Sequence, residues 1–194
     1  MFLAITMLGL FAAQAPITTF GVTVVDAFGL RGEIYLLEDG TPWLPNFRKL
    51  KPIGAVYTDA LNIPPRSFSE GFPGITERFE WFAIDYNGKF WIEKPGKYRF
   101  QLSSDDGSKL YIDGKKVVDN DDLHPIKTEK GAIKLSGGLH TIRLQYFQGP
   151  RMTLALILEV AGPDDTGFRV FSTREFRPPG NPEDWKYEST PRKK

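Results

Sequence analysis

Asp105 and Asp106 stand side by side in "SSDDGSKLYIDGKKVVDN", Ser103 to Asn120. Adjacent carboxylates have two common uses. In an Asp-Asp-Gly turn the Asp side chains bond backbone amides and the glycine supplies a positive φ. In a cation site the same pair faces a hard ion such as calcium, which takes roughly 6–8 oxygen ligands. The residues alone leave both readings open. The acidic run Asp119 to Asp122 lacks the spaced carboxylates and closing glutamate of a helix-loop-helix calcium loop, and reads as a solvated loop. His124 and His140 have no His or Cys at ligand spacing, so both read as structural. Glu77 and Glu80 flank aromatics with no evident second carboxylate, and there is neither a G-x-S-x-G elbow nor a phosphate-cradling glycine loop. The chemistry on offer is binding, and no enzyme activity is expected.

Composition agrees. Lys and Arg number 25 against 24 Asp and Glu, a net charge of +1, which leaves no electrostatic footprint for a nucleic-acid partner. The absence of cysteine excludes disulfides and thiolate metal sites. With 194 residues, 41% of them hydrophobic, the chain is long enough to bury one sizeable core.

The elements that must hold the aspartates read as strands. Tyr98, Phe100 and Leu102 alternate with Arg99, Gln101 and Ser103, and Ile142, Leu144 and Tyr146 alternate with Arg143 and Gln145, so each run buries one face. Three hairpins are expected, with tips at Asn87-Gly88, Asp113-Gly114 and Ser136-Gly137-Gly138, residues that tolerate positive φ. "MTLALILEV" is apolar on both faces and reads as a central strand covered on each side. The fold class is all-β: an antiparallel β-sandwich or partly closed barrel over residues 20–177. The proline- and glycine-rich connection from Asp39 to Gly74 carries Trp43, Leu44, Phe47, Phe68 and Phe72, and is expected to pack onto the domain.

At the N-terminus, "MFLAITMLGLFAAQAP" is an apolar run ending in Ala13-Gln14-Ala15, a small-x-small export pattern. Residues 1–15 read as a signal peptide or, uncleaved, as a membrane anchor, and the protein is expected to be exported. Residues 178–194 read as a flexible C-terminal tail, with Trp185 and Tyr187 as docking groups for a partner.

Taken in order, "GLRGEIY", "ERFEWFAIDYNGKFWIEKPGKYRFQLSSDDGSKLYIDGKKVVDN" and "GLHTIRLQYFQGPRMTLALILEV" resemble the PA-14 domain family, the β-sandwich named after the bacterial toxin protective antigen and found in toxins, glycosidases and adhesins. The resemblance runs from Gly29 to about Val160 and is most specific in "SSDDGSKLYIDGKKVVDN" and "LHTIRLQYFQG". It implies a non-catalytic binding module, often for carbohydrate. In the glycan-binding adhesin branch the paired aspartates are joined by a cis peptide and chelate a calcium ion that holds sugar hydroxyls. The matching pair here is Asp105-Asp106, and Gln148 stands where that branch has an asparagine ligand. The resemblance therefore implies Ca2+ at Asp105 and Asp106, a ligand site shared by Asp105, Asp106 and Gln148, and a glycan or cell-surface polysaccharide as partner. The alternative is a protein-interaction module acting as an accessory subunit of a membrane or envelope complex.

Overall fold

A computed structural model of the protein describes residues 29–75 and 80–180. The expected export segment, Glu77, Trp185 and Tyr187 lie outside the described residues. Among the described residues eleven strands form two antiparallel sheets, and the only helical turns are 3₁₀ turns at Phe47–Lys49 and Phe68–Glu70. The first sheet has the order β2-β1-β4-β9-β6-β7, built from Gly54–Thr58, Leu30–Leu36, Phe82–Ile92, Gly138–Gln148, Ser108–Ile112 and Lys115–Asn120. The second has the order β11-β10-β5-β8, from Arg169–Val170, Thr153–Ala161, Gly96–Asp105 and Lys127–Leu135, with β3 (Asn62–Ser67) also pairing β10. The two sheets form a sandwich and not a closed barrel.

The alternation seen in the sequence holds the layers together. Phe82, Ile84, Phe90, Phe100, Leu102, Leu144, Tyr146, Leu156 and Leu158 face inward and are essentially inaccessible. At about 25 cal/mol per Å² of apolar surface removed from water, this interior is the main stabilising term. Between the sheets, Gly131 lies where an added Cβ would come within 1.9 Å of the Val117 carbonyl oxygen, so β8 and β7 approach to a distance only glycine permits.

Of the three expected hairpins only Asp113-Gly114 exists, joining β6 to β7, with φ of 49° at Asp113 and 73° at Gly114. Asn87-Gly88 is no turn: β4 runs straight through it, pairing Asn87 with Arg143 and Gly88 with Ile142 of β9. Gly88 is there for a close approach, since a Cβ would meet Leu30 Cδ2 at 2.7 Å and the Gly29 carbonyl oxygen at 3.0 Å. The turn at Ser136-Gly137-Gly138 likewise joins no pair, because β8 pairs β5 in the second sheet while β9 pairs β4 and β6 in the first. A period of two tells which face of a strand is buried but not which strand lies beside it.

The proline-rich connection does pack onto the domain, through Leu44, Phe47 and Phe72, while Trp43 stays 63% exposed. It also contains two strands. β2 is the edge strand of the first sheet among the described residues, and β3 accommodates Pro64 and Pro65 at a margin of the second, as edge strands allow. The run read as a central strand is β10, flanked by β5 on one side and by β3 and β11 on the other.

Candidate functional site

Three chain crossings between the sheets meet at one end of the sandwich: β5 to β6 through Asp106-Gly107, β7 to β8 through residues 121–126, and β9 to β10 through residues 149–152. Gly107 lets the first crossing fit beneath the others, since a Cβ there would meet a Phe147 ring carbon at 2.3 Å and Asp122 N at 3.0 Å. Asp105 and Asp106 therefore lie inside the end of the sandwich, at 7% and 5% exposure. The peptide between them is cis, as the resemblance implies.

Each carboxylate is held by backbone amides of the other two crossings. Asp106 Oδ1 accepts from His124 N at 3.2 Å, and its Oδ2 accepts from Gly149 N at 2.8 Å. The Asp105 carboxylate accepts from the Ile126 amide. The turn-forming use of the pair is thus partly realised, although the amides bound are distant in sequence.

Gln148, fully buried, joins the same cluster. Its Nε2 lies 3.3 Å from Asp106 Oδ2, 3.4 Å from Pro150 O and 3.3 Å from Thr153 O. Its Oε1 lies 2.6 Å from Tyr146 Oη, which is also 2.7 Å from the Asp105 carbonyl oxygen and shares its one proton between the two. The structure brings all three sequence-identified residues together, but it turns the amide nitrogen of Gln148, not the oxygen, toward Asp106.

Burial, and then the neighbouring Asp106 charge, push the Asp105 carboxyl up from its ordinary 3.8 to about 6, against the opposing influence of His124 and the Ile126 amide. Burial also raises Asp106, while the Gly149 and His124 amides pull it back. Among the described residues no Lys or Arg pairs with either carboxylate. Lys109 pairs with Asp121 and Asp119, and Lys127 with Glu129. Buried carboxylates are normally paired or bound to metal, because an ionised group loses its hydration on burial. This pair has amide donors and His124 as its cationic neighbour, but no Lys or Arg.

The oxygen atoms suit a hard divalent cation. No three Asp, Glu, His or Cys side chains group as a ligand set among the described residues. Calcium here would therefore take two carboxylates plus neutral oxygens, and the Pro150 and Thr153 carbonyls and the Gln148 carboxamide, once rotated, are at hand. Carboxamide orientation follows from the hydrogen-bond network, and a cation reverses the preference seen without it.

The remaining sequence candidates are structural. Both ring nitrogens of His124 face carbonyl oxygens, of Pro125 and Asn120, while those of His140 face Asp113 and Ser136 O. Asp121 accepts from Leu44 N and pins the β1–β2 connection. Glu80 pairs with Arg151. The reading from residues missed Gly149, Ile126 and the two carbonyls, which contribute only main-chain atoms and leave no side-chain signal.

The fold is thus an all-β sandwich with a buried acidic pair where its three crossings meet. The chain belongs to the PA14 domain family, whose model matches residues 54–173. Among curated proteins none matches the sequence. Among solved structures, an anti-sigma factor domain-containing protein superposes with a TM-score of 0.61 at 20% identity, covering 78% of this chain but 48% of that one. The chain thus spans about half the length of that relative. The PA14 domain of the MpAFP antifreeze protein gives 0.62 at 17% identity, over 75% of this chain and 88% of that one. A PA14 sugar-binding domain from an RTX adhesin gives 0.58 at 17% identity, over 76% and 97%. At these identities the likeness establishes the fold.

Proposed function

We propose that this PA14 domain is an exported, non-catalytic glycan-binding module whose sugar site is organised by a calcium ion on Asp105 and Asp106, with Gln148 beside them. The observation that carries the reading is the pair itself: two adjacent, buried carboxylates without a Lys or Arg partner, one of them pushed up to about 6 by burial and by the other. At neutral pH such a pair repels itself, and a divalent cation is the simplest group that offsets both charges. Bound calcium would supply open coordination positions for a pair of sugar hydroxyls.

The loops around the pair suit that ligand. Leu123, Ile126 and Met152, exposed at 37%, 44% and 82%, belong to the same crossings that hold the carboxylates and offer apolar contact to the C–H face of a sugar ring. The solved adhesin domain is described as sugar-binding, which supports the direction of the proposal.

The test is binding of the purified domain to an array of immobilised glycans, in calcium and in EDTA, with Asp106→Ala alongside. The proposal expects calcium-dependent binding that the variant loses. Binding equal in calcium and EDTA, or no bound glycan, would contradict it.

A further inference from the structure

Among the described residues every margin of the two sheets is guarded except one. β7 carries Lys115, Lys116 and Asp119 and a register shift against β6, and β8 carries Lys127, Glu129, Lys130 and Lys134. β3 carries Pro64 and Pro65, and β11 is two residues long. Charges, prolines, bulges and short length are the usual means by which an edge strand is kept from pairing with another chain. β2 has neither charge, proline nor bulge. Gly54–Thr58, "GAVYT", pairs with β1 over five residues without a register shift. No strand among the described residues lies on its other side. A strand sends its backbone groups alternately to either side, so β2 presents a row of N–H and C=O groups outward.

The side chains leave that row accessible. By register Val56 lies opposite Gly32 and packs against the core, so Ala55 and Tyr57 face outward. Arg31 Nε donates to Tyr57 Oη at 3.2 Å, which draws the ring back over β1 and clears the edge. Ile53, just before the strand, is 62% exposed and Tyr57 43%. Behind the edge a cleft of about 510 Å³ opens between β2 and β3, lined in part by Val56, Leu61, Ile63, Pro73 and Tyr86. A strand added to β2 extends the inner face over the mouth of this cleft, so its inward side chains gain burial in addition to its backbone bonds.

The residues of the edge point to one partner strand. Turned about a two-fold axis through Val56, β2 pairs antiparallel with its own copy. Gly54 then falls opposite Thr58 and Ala55 opposite Tyr57, so a small residue stands beside each larger one. No like charges meet, because the segment carries none. Such a contact is isologous and closes at two copies, covering both open edges and creating no new one.

We propose that the chain forms a symmetric dimer through β2, joining the two first sheets into one continuous antiparallel sheet. Phe82 of β4 lies opposite both Leu36 of β1 and Gln148 of β9, which places the Asp105-Asp106 crossings at one end of that sheet. Antiparallel pairing therefore turns the crossings of the two copies in opposite directions. The dimer does not depend on what those crossings bind.

The full chain is examined by sedimentation velocity over a dilution series from high to low micromolar concentration, and by hydrogen–deuterium exchange at both ends of the series. The expected result is a concentration-dependent dimer in which residues 54–58 exchange more slowly at the high concentration than at the low. Ala55→Lys and Ile53→Lys each add a charge to the edge at an exposed position, and each should weaken the dimer at least about tenfold. The melting temperature of the dilute, monomeric variants should match that of wild type. If Ala55→Lys lowers it, Ile53→Lys decides alone. A chain that stays monomeric throughout the series, a dimer that the charged variants leave unchanged, or exchange of residues 54–58 that is equally slow at every concentration, as when the strand is covered within one chain, would each overturn the proposal.

Discussion

Replacing Asp105 by Asn should make the calcium-free domain more stable at neutral pH. In the folded state burial, followed by the Asp106 charge, moves the Asp105 carboxyl from 3.8 to about 6. Between those values the folded chain holds a proton that the unfolded chain has released, so stability falls as pH rises through this window and the full penalty is present above about pH 6. A shift of about two units at about 1.4 kcal/mol per unit makes the penalty roughly 3 kcal/mol. Asparagine keeps an oxygen to accept from the Ile126 amide and removes the charge. At about 2–4 °C per kcal/mol for a chain of this size, the variant should melt roughly 6–12 °C above wild type at pH 7.5 in EDTA. The two should converge near pH 4, and in calcium the order should close or reverse, since only wild type gains from the ion. Differential scanning fluorimetry across pH, with EDTA or calcium, reads all of this. A variant less stable than wild type at pH 7.5 in EDTA would refute the reasoning, because the carboxylate would then be a net asset without a cation.

Gly131→Ala should cost about 3 kcal/mol or more in urea denaturation, because its Cβ would lie 1.9 Å from the Val117 carbonyl oxygen between the packed sheets; a loss below 1 kcal/mol would show that β7 and β8 can part cheaply. Asp113→Ala should lower stability by about 1–3 kcal/mol, since it removes the acceptor for His140 Nδ1 and Thr141 N; equal urea midpoints would show that water replaces it. Burial raises the Asp113 carboxyl, yet the His140 and Thr141 bonds outweigh burial and leave it lowered. Its contribution is therefore present at neutral pH and lost as pH falls through the carboxylate range, which the pH dependence of the same midpoint checks.

The faces of the strands were legible in the sequence, whereas their neighbours were not. Alternation at Tyr98, Phe100 and Leu102, and at Ile142, Leu144 and Tyr146, identified the buried sides, because burial is a local property of each pleat. Asn87-Gly88 looked like a hairpin tip because glycine beside asparagine serves a turn as readily as it serves a close approach, and only the position of Leu30 decides which. At the site, Asp105 and Asp106 stood out as adjacent carboxylates and Gln148 only through the family resemblance, and the structure brings the three side chains together. The amides of His124, Ile126 and Gly149 were not legible, as any residue type can supply them.

Isothermal titration of calcium into chelator-treated protein tests the central claim most directly. A cation that binds the folded state stabilises it by RT ln(1 + [L]/Kd), about 2.7 kcal/mol at a hundredfold excess, so heat of binding and a rise in melting temperature should appear together. The account predicts one calcium per chain in wild type and none in Asp106→Ala, whose fold should remain intact because the residue lies at the loop end of the sandwich. No heat and no rise in melting temperature at millimolar calcium, or the same response in Asp106→Ala, would contradict it.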